Sequence, residues 1–294
     1  MKRLLFLLIV LMLNGLLSCF SQATKLDNIF YCFNNAMRLP NAPVGYTEQA
    51  KLAKKLGYYG ISGSGEETYS EFRKALDQVG LAIPETYISL KIDSGIPNYN
   101  PLLKELIRDS KDRNLLIALH LHSELYKNNK NEGDVKFAEV LTELADYAAK
   151  FNVKLAVYPH FSFYCETIGH TLKLVKMANR PNLGAVFNLC HFLKVEGEAN
   201  MEEQVIKAIP YLFMVSLSGA DTGDTQKMDW DKLIQPLGVG SYDPYPLVKL
   251  LKDNGYKGKF GLQCYNIKSD CEVALTKSMD TWKTYKKRYS KEKH

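Results

Sequence analysis

Short apolar segments alternate with amphipathic segments along most of the chain, and this alternation restricts the fold more than any other feature. Each apolar segment has the length of one buried strand. The predicted strands lie at residues 29–33, 58–61, 81–87, 115–120, 154–158, 184–188, 212–217 and 259–263. A segment with helical periodicity follows each of them, so the sequence predicts eight strand-then-helix units.

Several of the predicted helices end at a residue that favours a helix terminus. These residues are Gly57, Gly80, Asn114, Asn152 and Gly255. Glycine and asparagine enter the left-handed backbone conformation at low cost, and that conformation commonly ends a helix.

Strict alternation of strand and helix implies parallel strands joined by right-handed crossovers. The chain has 294 residues, 46% of them hydrophobic, which is enough for one large core. Eight repeats at this length predict an α/β protein with a single (β/α)8 TIM barrel at residues 25–290, and an open doubly wound sheet is the alternative. The long irregular connection at residues 218–243 would lie over the mouth of the barrel.

The first residues have the order of a secretory leader. Two basic residues precede an apolar run that ends at Leu13, which is too short for a helix that spans a bilayer. Residues 1–18 are therefore predicted to be a signal peptide. Residues 16–19 resemble a bacterial lipobox and predict lipidation of Cys19, with cleavage after Ala23 as the alternative. The chain is expected to be exported, to the periplasm or as a lipoprotein anchored in the outer membrane.

Charge and cysteine content limit the partners. The 38 basic and 32 acidic residues give a net charge of +6, much of it in residues 283–294, which are expected to form a solvated helix end rather than a polyanion-binding arm. Nucleic acid is therefore not an expected partner. Cys32, Cys190 and Cys264 lie in or beside predicted strands and are expected to be buried apolar residues. The sequence has no C-x-x-C spacing, which argues against cysteine-bound zinc.

In a TIM barrel the chemistry lies at the carboxyl ends of the strands. In this sequence those positions carry mainly amides, hydroxyls, aromatic rings and imidazoles. They are Asn34, Ser62, Glu85, Tyr87, His120, His122, Tyr158, His160, Asn188, His191, Ser216, Ser218, Gln263 and Tyr265. Acidic side chains expected near the same mouth are Glu85, Glu166, Glu196 and Asp221.

Three segments carry a resemblance to a known family. They are "LAVYPH", "GAVFNLCHFLKVEG" and "PLGVGSYDPYPLVKLLKDNGYKGKFGLQCYN". These segments look like strand five, strand six and the run from strand seven to strand eight of the sugar phosphate isomerase/epimerase family, the xylose-isomerase-like barrels that also include the endonuclease IV group. The resemblance covers most of the chain after the leader and implies a barrel that acts on a small carbohydrate.

The resemblance implies a divalent metal held by Glu, Asp, His and Glu from strands five to eight, with the glutamates passing a proton between sugar carbons. The matching positions in this chain are Tyr158, Asn188, Ser216 (or Ser218) and Gln263. A hard divalent cation that loses its bound water needs anionic oxygen ligands in return, and these side chains are neutral. The family's metal is therefore not expected here. Amides and hydroxyls do bind sugar hydroxyls. The predicted substrate-binding residues are Asn188, Ser216, Gln263, His122 and Tyr265.

Two interpretations of the histidines remain open. In the first, four imidazoles form a relocated transition-metal site, since imidazole suits Zn, Ni or Cu. These candidate ligands are His120, His122, His160 and His191. In the second, Tyr158 works with His160 or His191 as a metal-free acid–base catalyst.

Three functions follow from these patterns. The first is an exported enzyme that isomerises, epimerises or eliminates next to the carbonyl of a sugar. The second is a carbohydrate-binding barrel without catalysis. The third is a relative of the endonucleases, which is disfavoured because that chemistry needs several metal ions and the carboxylates are replaced. The oligomeric state is not predicted.

Overall fold

The computed structural model describes residues 25–63, 65–92, 99–127 and 130–293. In this part of the chain seven parallel strands form one sheet, in the order β1-β7-β6-β5-β4-β3-β2. The strands are β1 (Phe30–Cys32), β2 (Glu85–Lys91), β3 (Leu116–His122), β4 (Lys154–Val157), β5 (Leu183–Asn188), β6 (Leu212–Leu217) and β7 (Lys259–Leu262). The sheet is curled, and the predicted α/β TIM-barrel class is confirmed.

The two ends of the sheet, β1 and β2, are joined by residues 60–63, which lie between them as isolated parallel bridges. The amide of Ser62 donates to the carbonyl of Cys32 (3.0 Å) on one side. The amide of Gly63 donates to the carbonyl of Glu85 (2.8 Å) on the other. This segment therefore occupies the eighth position of the barrel.

The structure differs from the sequence prediction at this closure. The predicted strand at residues 58–61 forms bridges rather than a continuous ladder, and β2 begins at Glu85 instead of residue 81. Pro84 precedes β2 and has no backbone N–H, so it cannot donate to a ladder at this point. The carboxyl end of β2 consequently lies at residue 91, and Glu85 lies at the opposite end of the barrel from the mouth.

Ten helices are described, and most of them pack around the sheet. They are α1 (Tyr46–Leu56), α2 (Glu66–Val79), α3 (Leu102–Asp109), α4 (Lys130–Ala149), α5 (Ile168–Ala178), α6 (Leu189–Val195), α7 (Met201–Ala208), α8 (Trp230–Leu233), α9 (Tyr245–Asp253) and α10 (Cys271–Glu292). Short 3-10 turns occur at Asn34–Arg38 and Ile209–Tyr211. The five glycines and asparagines predicted to end helices all have positive φ. Four of them lie within three residues of a helix end, as predicted, whereas α3 ends at Asp109 and Asn114 lies in the turns that follow it.

The core has two layers. One apolar cluster fills the inside of the barrel, and a larger one lies between the sheet and the helices. The inner cluster contains Tyr31, Phe33, Leu116, Ala118, Ala156, Tyr158, Val186 and Met214. Aromatic rings and small side chains thus share the interior, which leaves the strand ends as the place for polar groups.

All five cysteines in the described ranges are buried with free thiols, which confirms the buried environment predicted for Cys32, Cys190 and Cys264. None of the helices described has both the length and the hydropathy needed to cross a bilayer. The predicted signal peptide and Cys19 lie outside the described residues.

Candidate functional site

The four positions that the sequence resemblance aligned with metal ligands lie together at the carboxyl end of the barrel. Tyr158 follows β4 directly, Asn188 ends β5, and Ser216 lies beside Asn188 in the register of β6. Gln263 follows β7 directly and is 7% exposed, whereas the other three are at most 1% exposed. These four side chains therefore lie at one end of neighbouring strands.

Asn188 forms a neutral bridge between two other side chains. Its amide nitrogen donates to the hydroxyl oxygen of Tyr158, and its amide oxygen accepts from the thiol of Cys190 at 3.1 Å. Both ends of the amide are used in a place that is almost completely buried. An ionised carboxylate in this place could not donate a hydrogen bond to Tyr158, and no cation among the described residues lies beside it to compensate its charge. The neutral amide therefore suits its surroundings.

Gln263 is held from the neighbouring strand end. Its side-chain oxygen accepts from the amide of Asn35 and from the backbone N–H groups of Cys264 and Tyr265, both at 3.1 Å. Asn35 also accepts from the backbone of Cys264 at 3.1 Å. No partner for the NH2 group of Gln263 is present among the described residues, which leaves that group able to donate to a ligand. Asn35 was not a predicted site residue; its position just after a strand was the available signal.

The hydroxyl groups of Tyr158 and Ser216 remain protonated. Burial raises the pKa of Tyr158 well above its ordinary value, and the nearby hydroxyl of Ser216 opposes that shift. Ser216 Oγ itself has no hydrogen bond of normal geometry in the described part of the structure. An unpartnered buried hydroxyl is costly unless another molecule satisfies it.

These four side chains do not fit a divalent metal. They offer neutral oxygens, three of them are hydrogen-bonded to each other or to backbone groups, and none is a carboxylate or an imidazole. A hard dication needs anionic oxygens to offset the loss of its water shell. The described residues contain no group of three or more His, Cys, Asp or Glu side chains arranged to hold a metal ion.

The four predicted histidines do lie close together, but an aromatic ring separates them into two pairs. His120 Nδ1 contacts His122 Nε2 at 2.7 Å, and the rings of His160 and His191 are 3.9 Å apart. The ring of Phe163 lies 3.8 Å from both His122 and His160. This geometry does not support the relocated metal centre, because the interposed ring prevents the imidazoles from converging on one point.

A short loop after β4 holds the second pair. His160 Nδ1 contacts the carbonyl of Phe161 at 2.8 Å, and the amide of Phe161 donates to His191 Nδ1 at 3.3 Å. The amide of His160 donates to Cys165 O, which closes the loop on itself. His191 Nδ1 therefore acts as an acceptor, which fixes the neutral tautomer with the proton on Nε2.

Three of the four imidazoles, those of His120, His160 and His191, are neutral over the physiological pH range. Burial lowers the pKa of His120 to about 2 and that of His160 to about 4, and it lowers the pKa of His191 well below its ordinary value. Bases this weak are poorly matched to proton transfer near pH 7. No hydrogen bond links Tyr158 to His160 or His191 among the described residues, and the catalytic role of these three stays a prediction.

Aromatic rings form the sides of the mouth. Tyr87 stacks on His120 at 3.9 Å, and Trp230 from the long connection lies 5.2 Å from His191 and 5.7 Å from Phe161. Phe161, Phe163 and Trp230 were not predicted as site residues. Tyr265 is 56% exposed at the rim, and His122 is half-buried. The connection predicted to cover the mouth therefore contributes a ring to it.

The acidic side chains expected near the mouth are used elsewhere. Glu85 lies at the start of β2, so the expectation that it belongs to the mouth is wrong. Glu166 accepts from the backbone of Ser162 (2.6 Å), Glu196 accepts from that of Ile168 (3.0 Å), and Asp221 accepts from that of Ser241 (3.0 Å). These three carboxylates hold loops in place. Lys91, the last residue of β2, is exposed at the rim of the mouth and carries a positive charge.

Solved structures share this fold at low sequence identity. The IOLI protein with a bound zinc atom has a TM-score of 0.70 and 18% identity, covering 89% of this chain and 99% of that one. The 3-keto-D-glucoside 4-epimerase YcjR from E. coli has a TM-score of 0.69 and 13% identity, covering 87% and 98%. A xylose isomerase-like TIM barrel protein from Mycobacterium smegmatis in complex with magnesium has a TM-score of 0.66 and 16% identity, covering 91% and 98%.

No curated protein sequence matches the chain significantly. Residues 50–285 match the sequence profile of the xylose isomerase-like TIM barrel. That match spans most of the chain and includes every strand from β2 to β7. The chain therefore belongs to the xylose isomerase-like TIM barrel family.

Proposed function

We propose that this protein is exported and binds a neutral carbohydrate at the carboxyl end of the barrel, without the metal–carboxylate centre of its family. The observation that carries the proposal is the neutral bridge from Cys190 through Asn188 to Tyr158, at two positions that the family resemblance aligns with metal ligands. A sugar is recognised by groups that both donate and accept hydrogen bonds, and these side chains do both.

The electrostatics of the mouth favour an uncharged ligand. The imidazoles of His120, His160 and His191 are neutral above about pH 5 because burial lowers their pKa values. The cations described near the mouth, Lys91 at the end of β2 and Lys194 over two aromatic rings, lie away from the buried imidazoles. A phosphate or carboxylate group beside those imidazoles would lose its hydration without compensation from them. The family relationship supports the same ligand class, since one structural neighbour is a 3-keto-D-glucoside 4-epimerase.

The aromatic rings at the mouth also suit a sugar ring. The apolar face of a pyranose packs on aromatic side chains, and Tyr87, Phe163 and Trp230 provide such surfaces beside polar groups. Two polar groups of the mouth are available to a ligand: the NH2 group of Gln263, whose described hydrogen bonds all go to its oxygen, and the hydroxyl of Ser216, which has no described partner.

Calorimetric titration of the purified chain with neutral monosaccharides and disaccharides in EDTA tests this function. We expect one neutral sugar to bind with an affinity that stays constant from pH 6 to 8 and is little changed by salt. Tyr265→Ala should weaken binding several-fold, whereas Tyr59→Ala, which removes an exposed tyrosine from the opposite end of the barrel, should not.

Two results would reject the proposal. One is an absence of binding across the panel, and the other is binding that requires an added divalent metal. Proton NMR of the same mixtures separates binding from catalysis: conversion of the bound sugar in EDTA, lost on Tyr158→Phe, would establish a metal-free enzyme instead of a binding protein.

A further inference from the structure

A second concave site lies at the opposite, amino-terminal end of the barrel. It is a cavity of about 1270 Å³ lined by the first residues of β3, β4, β6 and β7 and by the loop between α9 and β7. Its lining combines ammonium groups with apolar side chains, including Lys154, Lys257, Lys259, Leu212, Phe213 and Tyr256. None of the predicted site residues contributes to it.

One of these cations has a structural role. Lys259 begins β7, and its ammonium donates to the carbonyls of Pro84 (2.7 Å) and Asn114 across the bottom of the barrel. Lys252, which also lines the cavity, pairs with Asp27 at 2.7 Å. These two ammonium groups are therefore already engaged.

Lys154 and Lys257 differ from them. Both are exposed, and neither forms a salt bridge within the described residues. Lys154 Nζ lies 4.9 Å from the centre of the Phe213 ring, which places a cation next to an apolar wall. Neither lysine lies in the last turn of a helix, so compensation of a helix dipole does not account for them.

The carboxylate that lines the same cavity does not neutralise these two cations. Asp253 lies within a cluster of its own, with Lys249 at 2.5 Å and Lys293 at 2.8 Å. The lining therefore keeps two uncompensated positive charges beside Leu212 and Phe213. A pocket with this composition attracts a negatively charged group through its ammoniums and an apolar group through its wall.

We propose that this amino-terminal cavity binds an organic anion with an apolar body, the anionic group contacting Lys154 and Lys257 and the apolar body packing on Leu212 and Phe213. The site is independent of the carbohydrate site proposed at the mouth, which lies at the other end of the strands. A ligand here can be bound or released without entering the barrel.

Fluorescence titration with 8-anilinonaphthalene-1-sulfonate, an aromatic sulfonate, tests the site directly. We expect saturable binding to the folded protein that weakens as salt rises. The double substitution Lys154→Gln with Lys257→Gln should weaken binding about tenfold, the loss of two charge-assisted contacts at an exposed site. Lys150→Gln with Lys268→Gln removes the same charge outside the cavity and should leave binding unchanged.

The neutral probe N-phenyl-1-naphthylamine provides the second comparison. It has the same apolar body without the sulfonate, and it should bind the wild-type chain much more weakly than the sulfonate does. Equal binding of the two probes, unchanged binding in the Lys154→Gln and Lys257→Gln protein, or the same loss in the control protein would each overturn the proposal. Failure of the sugar titration would leave this result unaffected, because the two sites share no residue.

Discussion

At the scale of the residue, the site is defined by two buried amides, Asn188 and Gln263, at the carboxyl ends of β5 and β7. Asn188 and Gln263 each use their side-chain oxygen to accept hydrogen bonds from groups of the same chain. An ionised carboxylate at Asn188 would be buried beside a hydroxyl and a thiol, without a cation to pair with it. The neutrality of the site is thus matched to its surroundings and can be tested one residue at a time.

Asn188→Asp should destabilise the protein in a pH-dependent way. Burial raises the pKa of the introduced carboxyl above its unfolded value of about 3.9, so the native state favours the protonated form. Stability is then retained at low pH and lost as the pH rises. We expect the loss in unfolding free energy to be about 2–4 kcal/mol larger at pH 8 than at pH 4.

Urea denaturation of the Asn188→Asp protein at the two pH values provides the measurement. Asn266→Asp, at an exposed position, is the matched control and should show little pH-dependent loss. Equal stability of Asn188→Asp and wild type at pH 8 would contradict the neutral site. Recovery of the lost stability on addition of Mn²⁺ would show that one restored carboxylate is enough to bind a metal.

Glu85 gives a second test at this scale. Burial raises the pKa of this carboxyl to about 8, although the Lys259 ammonium and the Tyr31 hydroxyl oppose the shift. The Tyr31 hydroxyl donates to Met214 Sδ, and neither oxygen of Glu85 has a hydrogen bond of normal geometry among the described residues. Between about pH 4.5 and 8 the folded state binds more protons than the unfolded state, so stability falls as the pH rises.

Glu85→Gln should flatten this dependence. The amide cannot ionise, so the fall in unfolding free energy between pH 5 and 8, on the order of a few kcal/mol in wild type, should largely disappear. Denaturation curves at three or four pH values check this. Glu67→Gln, which changes an exposed glutamate, should keep the wild-type slope. A wild-type slope in Glu85→Gln as well would show that other groups cause the dependence.

At the scale of the element, the sequence predicted most of the fold because the signals are local. Alternating apolar segments predicted most of the strands, and four of the five glycines or asparagines chosen as helix ends lie at such ends with positive φ. The helix α6 was missed, since its residues directly continue an apolar strand and its first five residues are all buried. Periodicity cannot separate strand from helix when every side of a segment is buried.

The contacts that complete the mouth could not be predicted for a different reason. Phe163 separates the histidines, Asn35 holds Gln263, and Trp230 lies against His191 only because separate loops meet after the barrel has closed. The strand-end rule identifies positions along the chain, not contacts between loops. Tyr158 lies directly after β4, at the mouth. Glu85 instead begins β2, so it lies at the opposite end of the barrel.

The connection between β6 and α9 folds back over the mouth through a close backbone approach. Gly240 has a φ of +89°, and a Cβ there would overlap the carbonyl of Ala220. Gly240→Ala should therefore destabilise the protein through both strain and overlap. Gly255→Ala is the matched control, because its φ is +84° but no atom lies within 4 Å of the added Cβ.

We expect Gly255→Ala to cost about 1–2 kcal/mol from backbone strain alone and Gly240→Ala to cost about 1–3 kcal/mol more from overpacking. Urea denaturation of both proteins measures the difference. Sugar binding should also weaken in Gly240→Ala if the connection shapes the mouth. Equal costs for the two substitutions would mean that the backbone at this turn moves freely.

At the scale of the whole molecule, the barrel separates two chemically different ends. The carboxyl end carries mainly neutral polar and aromatic groups around Asn188, and the amino end carries the ammonium groups of Lys154 and Lys257. Binding at the first end should depend little on salt, and binding at the second should weaken as salt rises. Ionic strength therefore distinguishes the two sites in one preparation of the wild-type chain.

The predicted signal peptide would decide where such a molecule works. Its sequence predicts lipidation of Cys19, which would leave the barrel tethered by its amino-terminal segment. In the full chain expressed in a Gram-negative bacterium, the wild type should partition into the Triton X-114 phase, because acyl chains confer membrane affinity. Cys19→Ser should move it to the aqueous phase, whereas Cys32→Ser, a change at a buried thiol, should not. A wild-type chain found in the aqueous phase with Cys19 removed would instead establish cleavage after Ala23 and a free periplasmic protein.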